Sequence, residues 1–247
     1  DAHFDGQNFA KAFDIKFLDK DEKIKYAFQN TWAISTRMIG VLIANHGDDK
    51  GLVLPPNIAP IQIVIIPIYQ EKNKADVLKA AKAIEKDLSG FRVYLDDRDN
   101  YTPGFKFNEW ELKGVPVRIE IGPKDIKKNQ AVVVRRDEQK KESVKATELK
   151  KEISKLMKDI HKNLFERVEK FSEAHTKAAK TYDELKKNIE GNRVKACWCG
   201  SRDCEDKVKE ETSAKISCMP LEQEKIFSKC VKCGKEAKFV VMFARSY

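Results

Sequence analysis

Six cysteines confined to one short region constrain the fold of this chain more than any other feature of its sequence. All six lie between residues 197 and 233, most of them in the stretches CWCGSRDCE (197–205) and CVKCG (230–234). Cysteines at such short spacings either bind a metal ion or form disulfides, and both tie separate segments together. The sequence therefore predicts a small crosslinked domain in this part of the chain.

A structural zinc ion is the interpretation that we favour for these thiols. The pairs Cys199-x4-Cys204 and Cys230-x2-Cys233 supply the four sulfur ligands that a tetrahedral zinc site needs. A glycine follows the first and the last of these cysteines and permits the tight backbone turns that direct sulfurs inward. A site with four protein ligands has no position for a catalytic water, so this zinc is predicted to stabilise a fold.

The pattern leaves alternatives open. Cys197 replaces Cys204 as the fourth ligand in one of them, and a metal-free remnant or a set of disulfides are the others. Cys218 stands in the apolar context KISCMPL and is predicted to be an ordinary buried thiol. No secretion signal opens the sequence, so we expect the cytoplasm, where thiolates hold zinc more often than they form disulfides.

The charge balance favours a polyanionic partner. Lys and Arg number 48 against 39 Asp and Glu, which gives a formal net charge of +9. Basic side chains that neutralise phosphates release condensed counterions, so nucleic acid is one candidate partner. A solvated surface rich in Lys and Glu explains the same composition without any partner. No run of 18 apolar residues occurs, so no membrane span is predicted.

Residues 58–150 are predicted to form an α/β domain. The run IQIVIIPI is typical of a strand buried on both faces, and an amphipathic helix follows it, ending near Gly90. Strands at FRVYL, VPVRIEIG and QAVVVRR, with a helix through FKFNEWELKG, continue the alternation. Such alternation favours a sheet of mostly parallel strands.

The flanking regions have their own patterns. In residues 1–57, a hairpin is predicted to turn at residues 19–23, and a later strand runs into a helix in WAISTRMIGVLIANHG. Residues 147–175 carry an apolar stripe at helical spacing, predicted to be a core-facing helix that links two domains. A partner-binding face is the alternative for this stripe. Residues 176–247 are predicted to form a small α/β domain.

Three stretches carry a resemblance to a known family. They are GQNFAKAFDIKF with QNTWAISTRMIGVLIANHGDDKGLVLPPNIAPIQIVIIPI, then DDRDNYTPGFKFNEWELKGVPVRIEIGPKD, then the cysteine segment ending in FARSY. In this order they resemble the C-terminal portion of prolyl-tRNA synthetases of the archaeal and eukaryotic type. The resemblance implies the end of a class II antiparallel-sheet catalytic domain (1–57). An α/β anticodon-binding domain with a mixed sheet (58–150) follows, and then a linker helix with a small α/β zinc-binding domain (151–247).

The resemblance also implies an activity and the residues that serve it. A proline–tRNA ligase uses ATP with Mg²⁺ to form prolyl-adenylate and passes the prolyl group to tRNA(Pro), as a homodimer. Arg37 matches the motif 3 arginine that binds ATP, as a permanent planar cation can lie against adenine and face the triphosphate. Trp32 and Ser35 match positions that line the nucleotide and amino-acid pocket, and His3 and Gln7 match the loop that borders proline.

Three further residues match the positions that read the anticodon in this family: Glu111, Arg118 and Lys124. The proline anticodon ends in two guanines, whose edges donate to a carboxylate and accept from Arg or Lys. An ion pair between Glu111 and Arg118 is the structural alternative. The resemblance also implies a further contact to RNA from either Lys140 or Lys141, because gaps in the match to the family leave both positions open. Tyr247 matches the C-terminal residue, whose carboxylate folds back toward the catalytic domain in the family.

The sequence departs from the family pattern in two places. Ala33 stands where glycine usually follows the tryptophan, and residues 2–6 read AHFDG where the family usually has Ser-His-x-Leu-Gly. Class II motifs 1 and 2 are absent, so we expect these residues to be the C-terminal portion of a longer enzyme. The alternatives are a tRNA-binding module without catalysis and a scaffold that recruits other synthetases through the helix at 147–175.

Overall fold

The computed structural model describes the backbone of residues 2–245 and the side chains of residues 4–245. The chain divides into two compact units, Asp1–His161 and Lys162–Tyr247. Among the described residues, no helix has the length and apolar character needed to cross a membrane.

The first unit begins with short antiparallel strand pairs. Its elements are β1 (Ala2–Gly6), α1 (Asn8–Ala12), β2 (Lys16–Leu18), β3 (Ile24–Tyr26), β4 (Gln29–Trp32) and α2 (Arg37–His46). β2 pairs with β3 across the turn predicted at residues 19–23, and β1 pairs with β4. β4 leads into α2, so the predicted strand-to-helix passage is also confirmed.

Many apolar side chains of these first elements are exposed to solvent. Helix α2 has no buried residue. Large apolar side chains are exposed across the segment, among them Phe4, Phe13, Leu18, Ile24, Phe28, Trp32, Ile34, Met38 and Ile39. Single exposed apolar residues are ordinary on a protein surface, but so many of them within one segment are unusual.

A five-stranded sheet forms the centre of the first unit. Its elements are β5 (Ile63–Pro67), a 3-10 turn (Glu71–Asn73), α3 (Lys74–Asp87), β6 (Val93–Leu95), α4 (Pro103–Leu112), β7 (Val117–Ile121), α5 (Pro123–Lys127), β8 (Gln130–Arg135) and β9 (Lys141–Lys145). The strand order is β6-β5-β7-β8-β9. Every residue of β5 and β7 is buried, as a strand covered on both faces requires.

The sheet is mixed, which confirms the mixed sheet that the family resemblance implies, whereas the expectation of mostly parallel strands drawn from the alternation alone is wrong. β5 pairs in parallel with β6 and β7, whereas β7–β8 and β8–β9 are antiparallel. Parallel neighbours need a crossover of a dozen or more residues, and the links on either side of β8 are too short for one. Gly90 does not end α3, which stops at Asp87 with Leu88 as its C-cap residue.

Helix α6 (Leu149–Ala174) follows a 3-10 turn (Ala146–Glu148) and confirms the helix predicted over 147–175. The apolar stripe is buried only in its N-terminal part, where Leu149, Ile153, Met157, Ile160 and Leu164 are nearly inaccessible. Phe165 and Phe171 are each 63% exposed, so the stripe does not face a core along its whole length.

The second unit folds around a four-stranded sheet. Its elements after α6 are β10 (Thr176–Ala179), α7 (Tyr182–Asn188), β11 (Arg193–Trp198), α8 (Arg202–Thr212), β12 (Ala214–Cys218) and β13 (Phe239–Arg245). The order is β10-β11-β13-β12, with β10 and β11 parallel and the other pairs antiparallel. Its core includes Leu185, Val194, Val208, Val241 and Phe243, so the predicted α/β character is confirmed.

Candidate metal centre and nucleic-acid interface

Four cysteines of the second unit converge on one point. The ligand atoms of Cys199, Cys204, Cys230 and Cys233 all lie within 4.8 Å of one another. The Sγ of Cys199 is 3.7 Å from that of Cys204 and 3.8 Å from that of Cys233. A zinc ion bound at about 2.3 Å by four sulfurs in a tetrahedron separates those sulfurs by about 3.8 Å. The spacing of the group therefore fits zinc.

Two tight turns place these sulfurs. Gly200, directly after Cys199, has φ +86°, and Gly234, directly after Cys233, has φ +68°. Residues other than glycine rarely adopt these backbone conformations. The second turn is closed by hydrogen bonds, since the amide of Gly234 donates to the carbonyl of Cys230 and that of Cys230 donates to Lys235. The local sequence thus forms the geometry that its glycines predict.

The thiols differ in their proton affinity. Burial, together with the neighbouring thiols, raises the pKa of Cys204 to about 12, and burial also raises the pKa of Cys230. The backbone amide of Lys235 is the main cause that lowers the pKa of Cys233 to about 7. Four thiolates this close together would repel each other, and a bound dication would offset that repulsion.

The remaining cysteines lie apart from this group. Cys197 is fully buried in β11 beside Ala237 and Val240, so the structure brings Cys204 to the cluster instead. Cys218 is exposed, and the prediction of a buried thiol there is wrong. It ends the edge strand β12, after a register shift in the pairing with β13, and lies opposite Met242. None of the six described cysteines forms a disulfide.

Arg118 is the centre of a buried charge cluster in the first unit. Its Nη1 lies 3.1 Å from Oε1 of Glu111, at the end of α4, and its Nε lies 3.0 Å from Oε1 of Glu120. The guanidinium covers the ring of Phe107 at 4.3 Å, and Lys141 contacts Glu120 at 3.3 Å. The structure thus contains the Glu111–Arg118 ion pair that the alternative interpretation describes. Glu120 was not predicted, although it lies two residues from Arg118 and therefore on the same face of β7.

We expect Arg118→Ala to destabilise the first unit by about 3 kcal/mol, because it leaves the buried Glu120 without its main partner. The free energy of unfolding in urea measures this loss. Lys141→Ala is the matched control: it contacts the same carboxylate but its side chain is 54% exposed, so about 1 kcal/mol or less is expected. Equal losses in the two variants would contradict a buried origin for the effect.

Lys124 lies beside a separate groove of about 810 Å³ at the carboxyl ends of β5 and β7. Such ends, outside parallel strands, are where ligands bind in α/β folds. Lys72, Lys124 and Lys127 line the groove together with Asp76 and Asp125, which leaves a small excess of positive charge. Tyr69 lines it with a buried hydroxyl that has no hydrogen-bond partner. The structure therefore places Lys124 beside a basic groove, apart from the Glu111–Arg118 pair.

A second buried network fixes α4. Asp96, fully buried after β6, accepts two hydrogen bonds from Arg98 at 2.8 Å and one from the indole of Trp110 at 2.8 Å. Lys106 donates to the Asp96 carbonyl at 3.0 Å. Because Trp110 and Lys106 are both in α4, Asp96 holds the helix that carries Glu111.

This network predicts an acid-dependent loss of stability. Burial alone would raise the pKa of Asp96, but Arg98, Trp110 and Lys106 outweigh it and hold the pKa at about 2, below the ordinary 3.8. A lowered folded pKa stabilises the protein above the unfolded pKa, so about 2 kcal/mol is lost as pH falls from about 4 to 2. Unfolding free energies across that range, compared with those of Asp96→Asn, measure this contribution. Asp97→Asn, at the exposed neighbouring position, is the control and should leave the pH dependence of the unfolding free energy as in the wild type. If Asp97→Asn changed this pH dependence as much as Asp96→Asn does, the effect could not be assigned to Asp96.

The residues predicted to bind ATP and proline lie on β4, α2 and the first loop. Trp32 is 77% exposed at the end of β4, Ser35 is exposed, and Arg37 is the exposed first residue of α2. The side-chain amide of Gln7 donates to the carbonyl of Tyr26 at 2.9 Å. His3 pairs with Thr31 through the backbone of β1. The side chain of His3, and Tyr247 entirely, lie outside the described residues.

Comparison with known proteins adds two family matches. Residues 182–247 match the model described as Prolyl-tRNA synthetase, C-terminal, and residues 62–156 match the model described as Anticodon binding domain. Together they include Glu111, Arg118, Lys124 and the four clustered cysteines.

Individual relatives match the chain over its whole length. Proline--tRNA ligase of Alkaliphilus oremlandii is 48% identical, and Proline--tRNA ligase 2 of Clostridioides difficile is 49% identical, each across 100% of this chain. Proline--tRNA ligase 2 of Bacillus cereus is 46% identical over the same extent. The chain spans about half the length of these relatives, 52% in each case.

Proposed function

Because this chain belongs to the prolyl-tRNA synthetase family, as its C-terminal portion, we propose that it is part of an enzyme that activates proline with ATP and transfers the prolyl group to tRNA(Pro). The observation that carries this proposal is identity of nearly one half to proline–tRNA ligases along all 247 residues. The family match and the site geometry support different parts of it.

The first segment supplies one wall of the catalytic site. Its exposed apolar side chains on β1–β4 and α2 support packing against a further part of a catalytic domain. Arg37 would bind ATP, presented with Mg²⁺, through a guanidinium that remains charged at every physiological pH. Trp32 and Ser35 would line the pocket, and His3 and Gln7 would border proline.

The five-stranded sheet supplies the RNA-reading surface. Glu111 at the end of α4 would accept hydrogen bonds from the Watson–Crick edge of an anticodon guanine, because an ionised carboxylate has acceptor capacity beyond its bond to Arg118. Arg118 would orient that carboxylate and donate to the base, and Lys124 would contact RNA along the basic groove. The ion pair would therefore hold the Glu111 carboxylate in the orientation for the base before the RNA binds.

Cys199, Cys204, Cys230 and Cys233 would hold a zinc ion. Zinc bound to four thiolates supplies a crosslink and no reactive water, so its proposed role is structural. It would join the end of β11 and the start of α8 to the turn at residues 230–234. We further propose three domains (1–57, 58–150 and 151–247), a homodimeric enzyme and a place in the cytoplasm, where protein synthesis consumes its product.

Proline-dependent exchange of pyrophosphate into ATP, measured on the complete protein, tests this proposal. Exchange with proline, followed by charging of tRNA(Pro), is the expected result, with leucine as the negative control. Retention of tRNA(Pro) without exchange would replace the enzyme with a tRNA-binding module. Absence of both activities would overturn the proposal.

A further inference from the structure

Arg136 joins two parts of the first unit that the proposed function assigns to different tasks. It lies just after β8, and only 4% of its surface is exposed. Its Nη1 and Nη2 donate to both carboxylate oxygens of Asp48 at 2.7 and 2.6 Å, and its Nε donates to the carbonyl of Glu111 at 3.0 Å. One planar guanidinium therefore binds the segment after α2 and the last turn of α4.

Backbone contacts hold the same two segments together. The amide of Leu52 donates to the carbonyl of Leu112 at 3.0 Å, and that of Leu54 donates to Gly114 at 3.2 Å. A Cβ at Gly51 would lie 2.7 Å from the backbone of Leu112, and Gly51 also has φ +123°. The two segments touch with no space for a side chain between them, so a shift of one moves the other.

Each segment leads directly to a proposed functional residue. Asp48 follows the end of α2 by two residues, and Arg37 is the first residue of that ten-residue helix, about 15 Å away along its axis. Glu111, whose carbonyl Arg136 binds, is the residue proposed to accept the anticodon guanine. The clamp thus lies between the ATP-binding helix and the base-reading carboxylate.

We propose that Arg136 is a positioning residue that couples recognition of the anticodon at Glu111 to the placement of α2 and Arg37. It touches neither substrate. The inference rests on the proposed function for its consequence, but the clamp itself is a statement about the fold. A rigid link between two sites makes the energy of binding at one available at the other.

Arg136→Lys in the complete protein tests the clamp, because lysine keeps the charge and cannot form three directed hydrogen bonds in one plane. Arg135→Lys is the matched control: this neighbour makes the same kind of bidentate pair, with Asp137, but is not bonded to Asp48 or Glu111. Asp48→Asn is a second variant, which breaks the clamp from its more exposed side if Arg136→Lys fails to fold.

The first measurement is amide hydrogen exchange, which does not depend on activity. Arg136→Lys and Asp48→Asn should each speed exchange at Leu52 and Leu54 together with Gly114, while Arg135→Lys should not. Unchanged protection at these amides would overturn the clamp whether or not the protein charges tRNA.

The second measurement is steady-state charging of tRNA(Pro). We expect Arg136→Lys to lower kcat for charging roughly tenfold, with KM for tRNA and tRNA-independent pyrophosphate exchange within about twofold of wild type. Replacing an anticodon guanine by adenine should then cost the variant less than it costs the wild type. A rise in KM alone, or an unchanged anticodon preference, would overturn the coupling. A wild-type protein that neither exchanges pyrophosphate nor charges tRNA overturns the coupling together with the proposed function, and hydrogen exchange still decides the clamp.

Discussion

Replacing Cys204 by serine is expected to remove bound zinc from the protein and to destabilise its second unit. Cys204 is buried, and its sulfur lies 3.7 Å from that of Cys199, so a serine hydroxyl there is a poor zinc ligand inside a preformed thiolate group. Structural zinc contributes roughly 10 kcal/mol in small domains, as large as the whole stability of many of them. We expect zinc per chain to fall from about one to near zero, and the melting temperature of the second unit to fall by about 10 °C or more.

Elemental analysis of the purified chain and thermal unfolding measure these two effects. Cys218→Ser is the matched control, because this exposed thiol lies outside the cluster and should change neither quantity. Cys197→Ala should lose packing in its apolar pocket yet keep its zinc. Full zinc content in Cys204→Ser, or its loss in Cys197→Ala alone, would show that a different set of sulfurs holds the metal.

Replacing Arg37 by alanine is expected to abolish prolyl-adenylate formation while leaving the affinity for tRNA nearly intact. Arg37 is the exposed first residue of α2, so its side chain is available to a nucleotide and supports no buried contact. Loss of one preorganised charged donor to the transition state costs about 10²–10³ in rate. The fold should be unaffected, because the substitution keeps a good helix former at an exposed position.

Pyrophosphate exchange and tRNA binding are compared in the same preparation. Lys20→Ala, which also removes one exposed cation from the first segment, should leave exchange within about twofold of wild type. If Arg37→Ala weakened exchange and tRNA binding equally, the division of tasks between α2 and the five-stranded sheet would be refuted.

The local pattern of apolar residues correctly predicted the strands that are buried along their whole length. The run Ile63–Pro67 is apolar at every position and is buried at every position. Strand β9 was not predicted because KESVK has no apolar alternation, as expected for an exposed edge strand recognised only through its pairing with β8. The directions of β8 and β9 followed from the lengths of their connections, which composition does not reveal.

Site residues within local motifs were likewise predicted from the sequence, whereas those joined by contacts between distant residues were not. Spacing predicted the four cysteines that converge, because Cys-x4-Cys and Cys-x2-Cys are local motifs. Sequence reasoning left Cys197 and Cys204 open, and only the orientation of β11 separates them, as Cys197 points into an apolar pocket. Arg136 was missed altogether, since Asp48 lies 88 residues away and no local pattern joins the two.

The place of β5 within its sheet has a consequence for synthesis on the ribosome. β5 is the first strand of its sheet to be synthesised, yet it lies between β6 and β7. Along the chain, α3, β6 and α4 separate β5 from β7. Closing so long a loop is slow compared with forming the local β7–β8–β9 meander. A nascent chain that stops short of Val117 therefore presents an apolar strand with one open edge, a segment that chaperones are suited to shield.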